Sequence, residues 1–107
     1  MVSVSGQIGW NPVTETFETD EMATQVRQAL ENLLIVLRAA GAEPRHVVRL
    51  TWYVTDRAEY LSARREIGQV YRAVFADYYP AMSVVIVAGL LDARAKVEIE
   101  ATALVPV

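Results

Sequence analysis

The chain has 107 residues, 53% of them apolar and 21% charged, enough for a single packed domain over 1–107 and incompatible with intrinsic disorder. Its net charge is −3 and it contains no Lys/Arg run, so binding along a phosphate backbone is disfavoured and no nucleic-acid partner is expected. The absence of cysteine excludes disulfides, thiolate catalysis, zinc ribbons and Fe–S clusters.

Residues 2–8 alternate Val and Ser and predict a short strand. Gly9-Trp10-Asn11-Pro12 reads as a turn, since Asn-Pro favours turn initiation, and 13–19 as a weak edge strand or loop. Asp20 is placed as the N-cap of a helix to about Ala40. Within it Val26, Leu30, Leu33 and Leu37 form one stripe, which Ala29, Leu34 and Ile35 widen, and Gly41 follows as the left-handed C′ residue. Residues 46–54 alternate, with Val48, Leu50, Trp52 and Val54 on one face and Arg49, Thr51 and Tyr53 on the other. Asp56 and Glu59 have capping-box spacing for a second helix to about Tyr79, with Ile67, Tyr71, Val74, Phe75 and Tyr78 on its stripe and Pro80 stopping it. Residues 82–88 are apolar on both sides, which fits a central strand buried on both faces. Residues 89–94 turn. Residues 96–105 set Val97, Ile99, Ala101 and Ala103 against Glu98, Glu100 and Thr102.

This order predicts an α/β (α+β) domain, a mixed sheet with two helices on one face. By parity the open face carries Ser3, Ser5 and Gln7 or their neighbours, then Arg49, Thr51, Tyr53, Met82, Val84, Ile86, Glu98, Glu100 and Thr102. Met82, Val84 and Ile86 would form an exposed apolar patch in a monomer, so an oligomer that buries this face is expected. No apolar run reaches the ~18 residues of a membrane span. The start lacks the basic and apolar regions of a signal peptide, so no membrane contact and a cytoplasmic location are expected.

No GxGxxG or GxSxG motif and no phosphate-binding P-loop occurs, and one histidine, His46, cannot assemble a metal cluster. The remaining candidates are Glu98 and Glu100, which share a strand face. Solvated, they are ordinary surface charges. Buried in an oligomer, they must be protonated or paired, with Arg49 as the natural partner. A buried carboxylate beside an apolar wall can serve as a general acid or base.

Four segments in order resemble the RidA/YjgF family. They are Val4-Ser5-Gly6-Gln7-Ile8 with Asn11-Pro12; Gln28-Ala29-Leu30-Glu31-Asn32-Leu33 with Ala40-Gly41; the run from Val47 to Asp56; and Tyr79-Pro80-Ala81-Met82-Ser83 followed by Val97-Glu98-Ile99-Glu100-Ala101. The resemblance implies a chorismate-mutase-like subunit in a homotrimer, with small-molecule clefts between neighbours. It implies hydrolysis of enamines and imines, such as 2-aminoacrylate, to ketoacids and ammonia without metal or organic cofactor. Glu98 matches the glutamate that positions or deprotonates the attacking water, and Ser5 and Gly6 belong to the turn that helps to hold the ligand.

The family's arginine clamp on the substrate carboxylate is Met82 here, and a thioether offers neither donor nor charge. The segment that usually precedes the first strand, with an aromatic residue near the site, is not in this sequence. The second helix carries about one extra turn, and Arg64 and Arg65 occupy the region of a family asparagine. The expected site is therefore Glu98 as the catalytic group, Ser5, Gly6, Met82, Val84 and Arg49 for substrate binding, and no metal. Either the ligand has no carboxylate, or Arg49 or Arg64 replaces the clamp, or the cleft binds without catalysis; Met82 is otherwise core packing. The functions in play are an imine or enamine deaminase of altered specificity, a non-catalytic binding trimer and, against the acidic charge, an endoribonuclease or translation inhibitor.

Overall fold

α1 (Met22–Ala39) forms where the apolar residues recur every three or four positions, and Val26, Leu30, Leu33 and Leu37 are all fully buried. It closes on Gly41, whose φ of 80° suits a residue without a Cβ. The N–H groups of Gly41 and Ala42 donate back to the carbonyls of Arg38 and Leu37 at 3.0 and 2.8 Å, a Schellman closure. The start differs from expectation. Glu21, not Asp20, is the N-cap, and the Asp20 carboxylate instead meets Arg94 at 2.9 Å. The hydrogen bond from that guanidinium holds the Asp20 carboxyl below its usual range.

The computed structural model describes residues 1–106. One sheet runs in the order β1-β4-β2-β3, with β1 (Val2–Ile8), β2 (Val47–Val54), β3 (Ala81–Ile86) and β4 (Val97–Ala103). β4 is antiparallel to both β1 and β2, and β3 is parallel to β2. Val97, Ile99, Ala101 and Ala103 pack with Leu50, Trp52, Val54 and the α1 stripe in a single core, on the side the helices cover.

β2 starts one residue later than predicted, after a 3-10 turn over Pro44–His46 in which His46 Nδ1 accepts the Glu43 N–H at 2.9 Å. Val47 pairs with Ala103 and Arg49 with Thr102, so Val48 bulges out and Val47 takes its core place. The predicted second helix is two pieces, α2 (Arg57–Ser62) and α3 (Arg64–Phe75), joined at Ala63. It ends at Ala76, short of Pro80, so Tyr78 lies beyond it. The Tyr78 hydroxyl donates to the Val47 carbonyl and its own carbonyl accepts from Tyr71, bonds that turn the chain toward the sheet before the proline.

Half of the expected capping box forms. Asp56 accepts the Glu59 N–H at 2.9 Å, while the Glu59 carboxylate goes to Lys96 Nζ at 2.6 Å. Asp56→Ala is expected to lower stability by about 1 kcal/mol, read as a lower urea midpoint with an unchanged m-value.

β3 is an edge strand rather than a central one. Leu50 pairs with Met82, Trp52 with Val84 and Val54 with Ile86, and residues in register share a face. Met82, Val84 and Ile86 therefore lie on the helix side, and Ala81, Ser83 and Val85 on the open face. A strand apolar on both sides has no alternation to set its parity. The helices leave its outer end uncovered, with Val84 39% and Ile86 46% exposed.

Candidate functional site

Glu98 points to the open face because Val97 and Ile99 take the core side of β4. β1 passes it through a bulge: Val4 is opposite Ala101 but Gln7 is opposite Ile99, so Ser5 and Gly6 together span Glu100. Beyond the bulge the parity of β1 inverts. Ile8 is opposite Glu98 and Gln7 opposite Ile99, which corrects the expected Ser3-Ser5-Gln7 register, although Gln7 still borders the cavity before Glu98. A Cβ on Gly6 would lie 2.4 Å from Glu98 Oε2, so glycine is what leaves room for the carboxylate here.

The cavity before Glu98 has a volume of about 430 Å³ and is lined by Gly6, Ile8, Trp10, Leu91 and Asp92 among others. Asn32 of α1, 3% exposed, braces this wall by donating from its amide to the carbonyls of Ile8 and Trp10 at 3.0 and 2.9 Å. The ion pairs among the described residues are Arg27–Glu31, Arg38–Glu43, Arg94–Asp20 and Lys96–Glu59. Glu98 takes part in none of them, which leaves its carboxylate available to a molecule in the cavity.

Glu100 is engaged by the Tyr53 hydroxyl, which donates to it at 2.6 Å. That hydrogen bond, more than burial, raises the Tyr53 phenol above its ordinary range. Arg49, the expected partner of the glutamates, donates instead to Ser83 Oγ at 3.0 Å on the neighbouring strand. With Ser3, Thr51 and Glu100 it lines a separate hollow of about 310 Å³.

Met82 and Val84 line a cavity of about 190 Å³ on the opposite side of the sheet, with Trp52, Tyr71, Tyr79 and Arg64. Tyr71 stacks on Tyr79, with ring centroids 5.1 Å apart, and donates to the Tyr78 carbonyl at 2.6 Å. Burial keeps the Tyr71 phenol protonated well past its usual range. Trp52 is 2% exposed, and its indole N–H is an unpartnered buried donor.

The expected site residues thus fall in three places within one chain. Gly6 and Glu98 adjoin, with exposed Ser5 beside them; Arg49 lies apart on the same face; Met82 and Val84 lie on the other. Sequence reasoning misses Trp10 and Leu91 near Glu98, and Tyr79 and Arg72 near Met82. Trp10 and Leu91 come from turns, which carry no period to give their direction. Among the described residues no group of three or more His, Cys, Asp or Glu side chains could hold a metal, and no helix is long and apolar enough to cross a membrane.

The Endoribonuclease L-PSP family model matches residues 1–105. The 2-iminobutanoate/2-iminopropanoate deaminase of Escherichia coli is 36% identical over 106 residues, covering 96% of this chain and 78% of that protein. The deaminase of the same name from Homo sapiens is 30% identical over 103 residues, covering 96% of this chain and 72% of its own length. Among solved structures, E. coli TdcF with bound serine superposes with a TM-score of 0.84 at 33% identity, covering 97% of this chain and 80% of that one.

Proposed function

Because the chain belongs to the RidA/YjgF family, that of the Endoribonuclease L-PSP model, we propose that it is an imine or enamine hydrolase of altered substrate specificity. The observation that carries this reading is Glu98, a carboxylate in no ion pair, facing a cavity beside a glycine that makes room for it. The relatives named as imine deaminases support the reaction class. In the proposed reaction Glu98 takes a proton from water as the oxygen bonds to the imine carbon, and hands that same proton to the imine nitrogen to give a neutral carbinolamine. Glu98 then takes the hydroxyl proton of the carbinolamine and passes it to the nitrogen as the C–N bond breaks, and a carbonyl compound and ammonia leave.

The Glu98 cavity and the Met82 cavity lie on opposite faces of one sheet, so a single chain cannot present both to one ligand. A homotrimer that sets one face of each chain against the other face of its neighbour would join them, with the exposed outer end of β3 in the seam. Light scattering is expected to return three times the mass of one chain at micromolar concentration; the mass of a single chain would refute the assembly.

Ammonia release from imines generated in situ tests the chemistry. Wild-type protein is expected to exceed spontaneous hydrolysis and Glu98→Gln to fall to it. Met82 in the clamp position favours a second reading, a trimer that binds without catalysis. Ligand binding with no ammonia release from any imine would support that reading instead.

A further inference from the structure

The cavity beside Met82 carries chemistry that the proposed reaction does not use. Its wall is aromatic, with Trp52, Tyr71 and Tyr79 beside the thioether. The stacking of Tyr71 on Tyr79 and the bond from Tyr71 to the Tyr78 carbonyl hold this wall in place without a ligand. Its volume of about 190 Å³ exceeds the roughly 150 Å³ of an apolar cavity known to accept a benzene ring.

Cationic residues of α3 also line it. Arg64 and Arg72 both border the cavity, and neither belongs to an ion pair among the described residues. Arg72 Nη1 lies 3.4 Å from where a Cβ on Gly68 would stand, so the guanidinium folds back over a position with no side chain. Arg64 is close enough to Tyr60, another cavity residue, for its charge to oppose the upward shift that burial imposes on that phenol. The unpartnered Trp52 N–H adds a buried donor with no acceptor.

We propose that this cavity binds the aryl side chain of a 2-imino or 2-keto acid, and that Arg64 and Arg72 take its carboxylate in place of the missing strand arginine. The ring sits against Trp52, Tyr71 and Met82, and the carboxylate meets the guanidinium pair at the mouth. Charge-assisted bonds from planar guanidinium groups suit a carboxylate, and they do not depend on which element supplies the arginine. The proposal rests on the hydrolase reading only in placing the imine carbon toward Glu98 of a neighbouring copy.

The test is calorimetric titration of the full chain with phenylpyruvate, pyruvate and phenylacetone, which carry ring and carboxylate, carboxylate alone and ring alone. Phenylpyruvate is expected to bind about tenfold more tightly than either of the others. The Arg64→Gln/Arg72→Gln double variant, with its fold checked by circular dichroism, is expected to bind phenylpyruvate no better than phenylacetone, and to bind phenylacetone as wild type does. Equal affinity for pyruvate and phenylpyruvate, or full phenylpyruvate affinity in the double variant, would overturn the proposal. Glu98→Gln separates the two readings. Binding retained there, with no ammonia release by wild type, removes the hydrolase and keeps this site; turnover of aryl imines unaffected by the double variant keeps the hydrolase and removes this site.

Discussion

Gly9→Ala is expected to cost about 3 kcal/mol, the upper end for forcing an added methyl group into a packed interior. The methyl carbon would stand 2.4 Å from the Gln25 carbonyl oxygen and 2.7 Å from its Cα, so it meets backbone rather than a side chain able to swing aside. α1 cannot give way, because Gln25 is tied on three sides. Its amide donates to the carbonyls of Thr19 and Arg94 at 3.0 and 3.1 Å, and its Oε1 accepts the Lys96 N–H at 2.8 Å. β1 cannot give way either, because Asn32 holds the carbonyls of Ile8 and Trp10 on each side of Gly9. A domain of this size has roughly 5–15 kcal/mol of stability, so the loss should lower the melting temperature by on the order of 15 °C in calorimetry. Gly89, with nothing within 4 Å of its would-be Cβ, is the control: Gly89→Ala should melt close to wild type. Equal melting of the two variants would contradict a steric role for this contact.

The second large effect is on turnover. Glu98→Gln keeps the shape of the side chain but removes the proton acceptor, and ammonia release should drop at least 100-fold. Gly6→Ala should lose on the order of 100-fold by a different route. Its Cβ would stand 2.4 to 2.6 Å from Glu98 Oε2, Cδ and Cγ, which forces the carboxylate out of position. Because the obstacle is a flexible side chain, and Gly6 does not have a positive φ, the fold should tolerate the change. A variant that melts like wild type yet has lost turnover is the expected outcome. Full activity in Gly6→Ala would mean that the position of Glu98 does not matter to the reaction.

Periodicity carries the fold where one side of an element is dry and the other wet. The centre of the α1 stripe and the Val97-to-Ala103 alternation agree with the structure, while Ile35, expected to widen the stripe, is exposed. It fails where that contrast is missing. Residues 82–86 read Met-Ser-Val-Val-Ile, and nothing in that run tells which side faces the helices, so parity alone sets Met82 and Val84 beside Glu98 rather than across the sheet from it. Bulges are the second source of error. One extra residue at Val48 and another at Ser5-Gly6 invert the parity of the strand on one side of each bulge, and neither leaves a mark in composition. Glu98 and Gly6 are legible as neighbours through short motifs. The aromatic wall around Met82 is not, because Tyr71 and Tyr79 come from either side of a helix end that falls earlier than Pro80 suggests.

β4, which bears Glu98, follows the other three strands of its sheet in sequence, yet it stands between β1 and β2. A nascent chain on the ribosome can pair β2 with β3 but cannot join β1 to either until β4 has emerged. Closure of the sheet then waits on contacts between β1 and β4, which lie far apart in sequence, the slow kind of step in folding. Until that moment the apolar flank of β3 has no finished sheet to belong to, and premature encounters between growing chains on one message are the hazard this topology creates.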